Sequence, residues 1–326
     1  MRCTTPDTNA KIPAVALSHE FLQMLRSPKS GQPLHLDGRQ LTSTDGIERY
    51  QISSSGIPLF ATEFLSAAGR DQQHHYDSIA ALYVENLGYP HTQEYMAYLD
   101  RQLMEVLPAG SLGTVAEVCC GRGEAARLLD HRIDRCIGVD VSVKILEVAR
   151  RDLPHDRFFF VQGDATMLPL NDGAFDNVLM LGGIHHVPDR LKLFAEVHRV
   201  LRPGGSFYFR EPLDDFALWR AIRRLVYRVS SALDHVNERP LRRKETEDDL
   251  TQAKLELTEW RTYGFFGFCL FMNSDVLVFN RVFRFLPGIR PLTRLACRID
   301  HWTTRLPWLR HAGLQVIGVA RRPLGA

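Results

Sequence analysis

Between residues 114 and 211 the chain alternates short apolar, β-branched runs with segments of helical spacing. TVAEVC (114–119), CIGVD (136–140), FFFVQ (158–162), NVLML (177–181) and SFYFRE (206–211) read as strands. GEAARLLDHRI (123–133), VKILEVARRDL (143–153) and LKLFAEVHRVL (191–201) read as helices between them, with PGG at 203–205 stopping the last and turning the chain into a strand. A helical crossover returns the chain to the same end of the sheet, so strands joined this way lie parallel. The pattern therefore predicts an α/β fold, a parallel sheet with helices on both faces and a ligand site beyond the carboxyl ends of the strands.

Outside that stretch the character changes. KLELTEWRTYG (254–264) and LQVIGVARR (314–322) return to strand-like alternation, and between them lies a Phe-rich insertion, 264–310. Its VLVFNRVFRFL (276–286) and LTRLACRIDHWTTRL (292–306) read as amphipathic helices. HHYDSIAALYVENLG (74–88), EYMAYLDRQLMEVL (94–107) and ALWRAIRRLVYRVSSALDHV (217–236) also read as helices, and ERPLRRKETEDDL (238–250) as a charged connector. The expected organisation is a loose N-terminus (1–20), a small module (21–65) with turns at Gly31, Gly38, Gly46 and Gly56, and a large domain (74–326) carrying 264–310 as a helical cap. A module of that size builds no adequate core, and it has no cysteine to staple it, so it must lean on a neighbour.

A net charge of +2 gives no general pull toward nucleic acid. From Arg210 onward, however, 20 Lys/Arg face 13 Asp/Glu, a basic third suited to an acidic substrate or an anionic surface. None of the six cysteines forms a C-x-x-C pair, and no apolar h-region follows the first basic residue. Free thiols in a reducing cytoplasm are expected, with contact at a membrane surface left open. The longest apolar run, GFFGFCLFM (264–272), is too short to span a bilayer.

VAEVCCGRGE (115–124) poses a choice between a cysteine site and a glycine loop. Neighbouring strand residues point to opposite faces, so Cys119 and Cys120 cannot readily share one ion, and no metal is expected. A glycine loop after the first strand lets backbone approach a ligand closely. Asp140, at the end of the second strand, stands where a carboxylate accepts from both ribose hydroxyls. This much fits a nicotinamide cofactor as well as S-adenosylmethionine.

The segment GDATMLPLNDGAFDNVLMLGGIHHVPD (163–189) discriminates. With VAEVCCGRG, GVDVS and EVHRVLRPGG it resembles the class I S-adenosylmethionine-dependent methyltransferases, particularly the small-molecule group related to quinone-biosynthesis enzymes, over about residues 75–211. The resemblance implies a Rossmann-like sheet and S-adenosylmethionine as cofactor. It implies that Glu117 lies near the loop holding the cofactor's amino-acid end, and that Gly121 and Gly123 pass close to it. Asp140 and Val141 would bind the ribose side, Asp164 and Ala165 would flank the adenine, and Tyr76 and Tyr83 would close over the cofactor. Cys119 occupies a position where the family usually has glycine. His185 and His186, after the fourth strand, are candidates for taking a proton from a hydroxyl acceptor. Arg210 and Glu211 are candidates for orienting a polar acceptor.

Residues 21–63 resemble a short zinc-ribbon-like module found with some methyltransferases, but Ser27, Ser30, Ser43 and Gly46 stand where that family has cysteines. Hydroxyls cannot replace thiolates on zinc. The insertion's phenylalanines, Phe265 and Phe268 among them, suggest a lid over a hydrophobic or aromatic acceptor, with a dimer surface and a membrane contact as alternatives. The expected activity is methyl transfer to the oxygen or carbon of a small molecule. The alternatives are an RNA base methyltransferase and an inactive cofactor-binding partner subunit.

Overall fold

A computed structural model describes residues 17–61, 69–70, 73, 85, 87–153, 156–221, 239–264, 278–307, 309–310 and 312–325. The readings at Tyr76, Tyr83, Phe265 and Phe268, and most of the helix read at 217–236, lie outside the described residues.

The large sheet has seven strands: β4 (Gly113–Val118), β5 (Ile133–Asp140), β6 (Phe158–Gln162), β7 (Phe175–Leu181), β8 (Leu201–Pro212), β9 (Glu256–Tyr263) and β10 (Gln315–Arg321). Their order is β6-β5-β4-β7-β8-β10-β9. The first five are parallel, and β10 is antiparallel to both neighbours. The chain builds outward from β4 to β6 and then returns to the other side of β4, which opens a crevice at the β4/β7 switch point.

Alternation along the strands sorts the core into two faces. Ala116, Ile137, Val139, Phe159 and Val161 pack with Leu193, Phe194 and Val197 of α5 (Arg190–Val200) on one side. Val115, Cys136, Phe158 and Phe160 pack on the other, against α2 (Pro90–Met104), α3 (Glu124–Leu128) and α4 (Val143–Asp152). Ser142 and Asp189 cap α4 and α5 with side-chain acceptors, at the points where the chain leaves the crevice.

The N-terminal module is α1 (His19–Gln23) and a meander of β1 (Leu34–Asp37), β2 (Gln40–Ser43) and β3 (Arg49–Gln51). It leans on the large domain as its size requires. Phe21, Leu25, Leu41, Tyr50 and Phe60 belong to the same core cluster as the sheet, and the Phe21 ring stacks on Phe159 at 5.2 Å. Backbone bonds from Gln162 N to Pro58 O (2.9 Å) and from Phe60 N to Gln162 O (3.0 Å) close the otherwise open edge of β6.

Two local readings are corrected and a third is made specific. The charged connector contains a helix, α6 (Arg243–Gln252), because Thr246 and Leu250, one turn apart, are buried beside α5 while Lys244 pairs with Asp248 outside. PGG does not interrupt β8, which begins at Leu201 and runs through it, since Gly204 and Gly205 exchange bonds with Arg322. Residues Val278–Phe285 form a 3-10 helix rather than an α-helix, ended by Pro287 and a left-handed Gly288, from which α7 (Ile289–Thr303) starts.

Candidate active site

The loops after β4, β5, β6 and β7 converge on one cleft. It is lined by Cys119, Gly121, Asp140, Val141, Asp164 and Ala165, and beyond them by Gly182, Gly183 and His186. Its wall continues through Glu124, Thr166, Asp189 and Lys192. The Gly182–Gly183 pair directly after β7 was the sequence signal for that last wall.

The first loop is held from below. Glu117 is buried, and its carboxyl group accepts from Ala125 N (2.7 Å) and Ala126 N (3.0 Å), in the first turn of α3. Burial pushes its pKa up to about 8 despite those two donors. Glu117 therefore positions the loop and does not line the cleft. Gly123, at φ +74°, caps α3, and a Cβ there would stand 2.7 Å from Leu153 Cδ1.

Cys119 has φ +51°, the left-handed region that disfavours a side chain, which is the physical reason for glycine at this position. Its side chain finds room because residue 183 opposite is glycine: a Cβ there would lie 2.5 Å from Cys119 Cβ. Burial, and next the carboxylates of Asp140, Glu211 and Asp164, push the Cys119 thiol well up. Cys120 is raised in the same way, so both stay protonated and neither is an activated nucleophile. No group of three or more His, Cys, Asp or Glu side chains gathers to hold a metal among the described residues.

Two carboxylates define the cleft's other end. Asp140 accepts from Gly121 N (2.9 Å) and Ser142 N (3.0 Å), which ties the β5 end to the glycine loop. Asp164 Oδ1 accepts from Thr166 N (2.8 Å) and Thr166 Oγ1 (2.7 Å). A Cβ at Gly121 would meet nothing within 4 Å, so backbone borders open space there. Carboxylates at two adjacent strand ends, an apolar floor of Val141, Ile145 and Ala165, and this backbone cradle fit a nucleoside with a short charged tail. S-adenosylmethionine has that shape, and Asp140 would hold its ribose and Asp164 its adenine.

At the end of β8, Glu211 is fully buried and gathers four donors. Its Oε1 accepts from Gly183 N (2.7 Å) and Ile184 N (2.8 Å), and Oε2 from His185 N (3.4 Å). His185 Nδ1 lies 2.7 Å from the same Oε2, and the His185 and His186 rings stand 3.8 Å apart. Glu211 thus orients an imidazole instead of facing a ligand. Its neighbour Arg210 is buried in an ion pair with Asp100 of α2 (2.7 Å) and does not line the cleft.

Comparison with known proteins agrees with this geometry. A methyltransferase-domain family matches residues 116–209, the span from β4 to β8. A demethylmenaquinone methyltransferase of Lactococcus lactis is 35% identical over 98 residues, 28% of this chain and 39% of that protein. The 27-O-demethylrifamycin SV methyltransferase of Amycolatopsis mediterranei is 33% identical over 155 residues, 44% of this chain and 55% of that one. The chain thus spans less than two thirds of the length of these relatives. Among solved structures, the complex between the Haloferax volcanii Trm112 methyltransferase activator and a methyltransferase contains a chain that superposes with a TM-score of 0.52. That match, at 19% identity, covers 77% of this chain and 97% of the other, and is a likeness of fold.

Proposed function

We propose, from the methyltransferase-domain family that matches residues 116–209 and the cleft those residues build, that the protein is a class I S-adenosylmethionine-dependent methyltransferase that methylates a hydroxyl of a small hydrophobic molecule. The observation that carries the oxygen acceptor is the Glu211–His185 pair at 2.7 Å. With Nδ1–H donated to the buried carboxylate, the lone pair of His185 sits on Nε2, the tautomer a general base needs. S-adenosylmethionine, when bound, supplies a methyl group on a sulfonium whose thioether leaves without protonation. The chain's own work is to align the acceptor, exclude water and accept a proton. His185 Nε2 would take the acceptor's hydroxyl proton as the oxygen is methylated, and Glu211 would stabilise the resulting imidazolium. His186, whose ring stands 3.8 Å from that of His185, is the one of the pair that lines the cleft.

The small-molecule reading is supported by the names of the relatives, one acting on demethylmenaquinone and one at a rifamycin oxygen. The test is transfer of labelled methyl from S-adenosylmethionine into a cell extract, fractionated into lipid-soluble small molecules, RNA and protein. Label should appear in the lipid-soluble fraction and be lost with His185→Ala. Label confined to RNA would overturn the reading.

We read the N-terminal module as a zinc-ribbon relative that holds its fold without metal. Ser27 and Ser30 both donate to Glu48 Oε2, Ser30 at 2.6 Å, and Ser27 also meets the Tyr50 hydroxyl at 2.9 Å. Ser43 donates to Asp45 (2.5 Å) and accepts from Glu48 N (2.9 Å). Hydroxyls held by the Glu48 and Asp45 carboxylates thus join the turns that thiolates would join through an ion. Unfolding that is insensitive to chelators checks this; a chelator-induced loss of stability would refute it.

A further inference from the structure

The helix α7 carries three lengthwise stripes. Its core stripe, Ile289, Thr293, Ala296, Cys297 and Asp300, is buried beside α2. At a hundred degrees per residue, Arg290, Arg294, Arg298, His301 and Arg305 follow on one flank. Next comes an apolar stripe that nothing among the described residues covers: Leu292, Leu295 (53% exposed), Ile299, Trp302 (76%) and Leu306. Val282 and Phe285 of the preceding 3-10 helix, 65% and 72% exposed, extend it. Singly exposed apolar side chains are ordinary, but seven along one helix and its lead-in are not.

Charge chooses the occupant. Residues 278–310 contain seven arginines and no lysine, against one acid, Asp300, which is fully buried in the core stripe. Arg290 and Arg294 share Glu94 of α2, while Arg298 and Arg305 have no ion pair among the described residues. Beside the Arg flank runs a groove at the edge of β9 lined by Arg243, Arg261, His301, Arg305 and Arg310 and by one acid, Glu105, which pairs with Arg261 (3.8 Å), so its charge remains net basic. A two-fold contact with the two helices antiparallel would set one arginine flank beside the other, and so works against itself. An anionic bilayer complements both stripes: apolar side chains enter the acyl boundary, Trp302 sits at headgroup level, and guanidiniums bind lipid phosphates.

We propose that the α7 face and its 3-10 lead-in dock the protein on an anionic phospholipid surface. No helix among the described residues is long and apolar enough to cross a membrane, so the attachment is peripheral. It extends the hydrophobic-acceptor reading, because such an acceptor dissolves in the lipid phase. The binding assay contains no acceptor, so the two can fail separately.

The test is sedimentation of the full chain with vesicles of phosphatidylcholine, with or without phosphatidylglycerol, at low and high salt. Binding at least tenfold tighter to the phosphatidylglycerol vesicles, and weakened by salt, is expected. Leu295→Ser/Trp302→Ser and Arg298→Glu/Arg305→Glu should each reduce it tenfold or more. Both pairs are solvent-facing, and unchanged thermal unfolding and S-adenosylmethionine binding show that the fold persists. Equal binding to both vesicles, or no effect of either pair, overturns the proposal. So does a dimer in light scattering that Trp302→Ser dissociates, which would assign the face to a second copy.

Discussion

Replacing Glu211 with glutamine separates the proposed oxygen-acceptor mechanism from the proposed cofactor site. The two side chains are nearly isosteric, but an amide accepts at one end and donates at the other. The oxygen should take the Oε1 position, where two amides lie at 2.7 and 2.8 Å, because losing both would cost more than losing one. The NH2 group then faces His185 N and Nδ1. It meets one N–H head-on and forces the imidazole to accept at Nδ1, so the proton moves to Nε2 and the base is lost. Charge-assisted bonds are worth about 1.5–3 kcal/mol each. Weakening the Oε2 pair should therefore lower stability by ~2–3 kcal/mol, less whatever is regained by not burying a charge. Removing a general base costs about a hundredfold to ten-thousandfold in rate. Release of S-adenosylhomocysteine at saturating donor, with the lipid-soluble acceptor fraction, measures kcat, and calorimetry measures donor affinity. The expected result is kcat down at least a hundredfold with donor Kd within about threefold of wild type. A variant that keeps a third or more of kcat would refute the reasoning, as would one whose loss lies wholly in donor affinity.

Other consequences follow from the same contacts. Glu117 has a folded pKa of about 8 against an ordinary 4.5. The raised value means that stability is fullest below the unfolded pKa and falls as pH climbs toward 8, by ~1 kcal/mol per pH unit. Urea midpoints at pH 5.5 and 7.5 should differ in the wild type and converge in Glu117→Gln; parallel shifts in both would refute this. Gly183→Ala sets a Cβ 2.5 Å from Cys119 Cβ, an overpacking worth ~1–3 kcal/mol. Cys119→Gly should recover at least half of that loss in a double-mutant cycle, and additive melting temperatures would show that the two residues do not meet. Cys119→Gly alone should stay within ~1 kcal/mol of wild type by denaturant titration, because relief of left-handed strain is offset by the entropy of glycine.

The central sheet was legible because its signal is local: the strands from β4 to β7 centre on short apolar runs, and FFFVQ at 158–162 is buried at every position. The loops that line the cleft were legible because Gly121, Asp140 and Asp164 fall at strand ends, where order along the chain becomes order along the cleft. What escaped was decided by partners distant in sequence. Glu211 reads as a strand-end carboxylate facing a substrate, yet amides 26–28 residues earlier fold back onto it. Arg210 is taken by Asp100, 110 residues away. The helix at Arg243–Gln252 hid in a charged run because two buried residues, Thr246 and Leu250, were enough to dock it. The odd cysteine at 119 makes sense only beside Gly183.

The most direct test of the account is calorimetric titration of the full chain with S-adenosylmethionine and with S-adenosylhomocysteine, repeated for Asp140→Ala. Asp140 joins the β5 end to Gly121 and stands where the ribose hydroxyls would be held. Two hydrogen bonds to a carboxylate put the expected loss at about tenfold to several hundredfold in Kd. Saturable one-to-one binding of both ligands by the wild type, weakened to that degree in the variant, is the predicted result. No heat from either ligand, or equal affinity in wild type and variant, would contradict a cofactor site at this cleft.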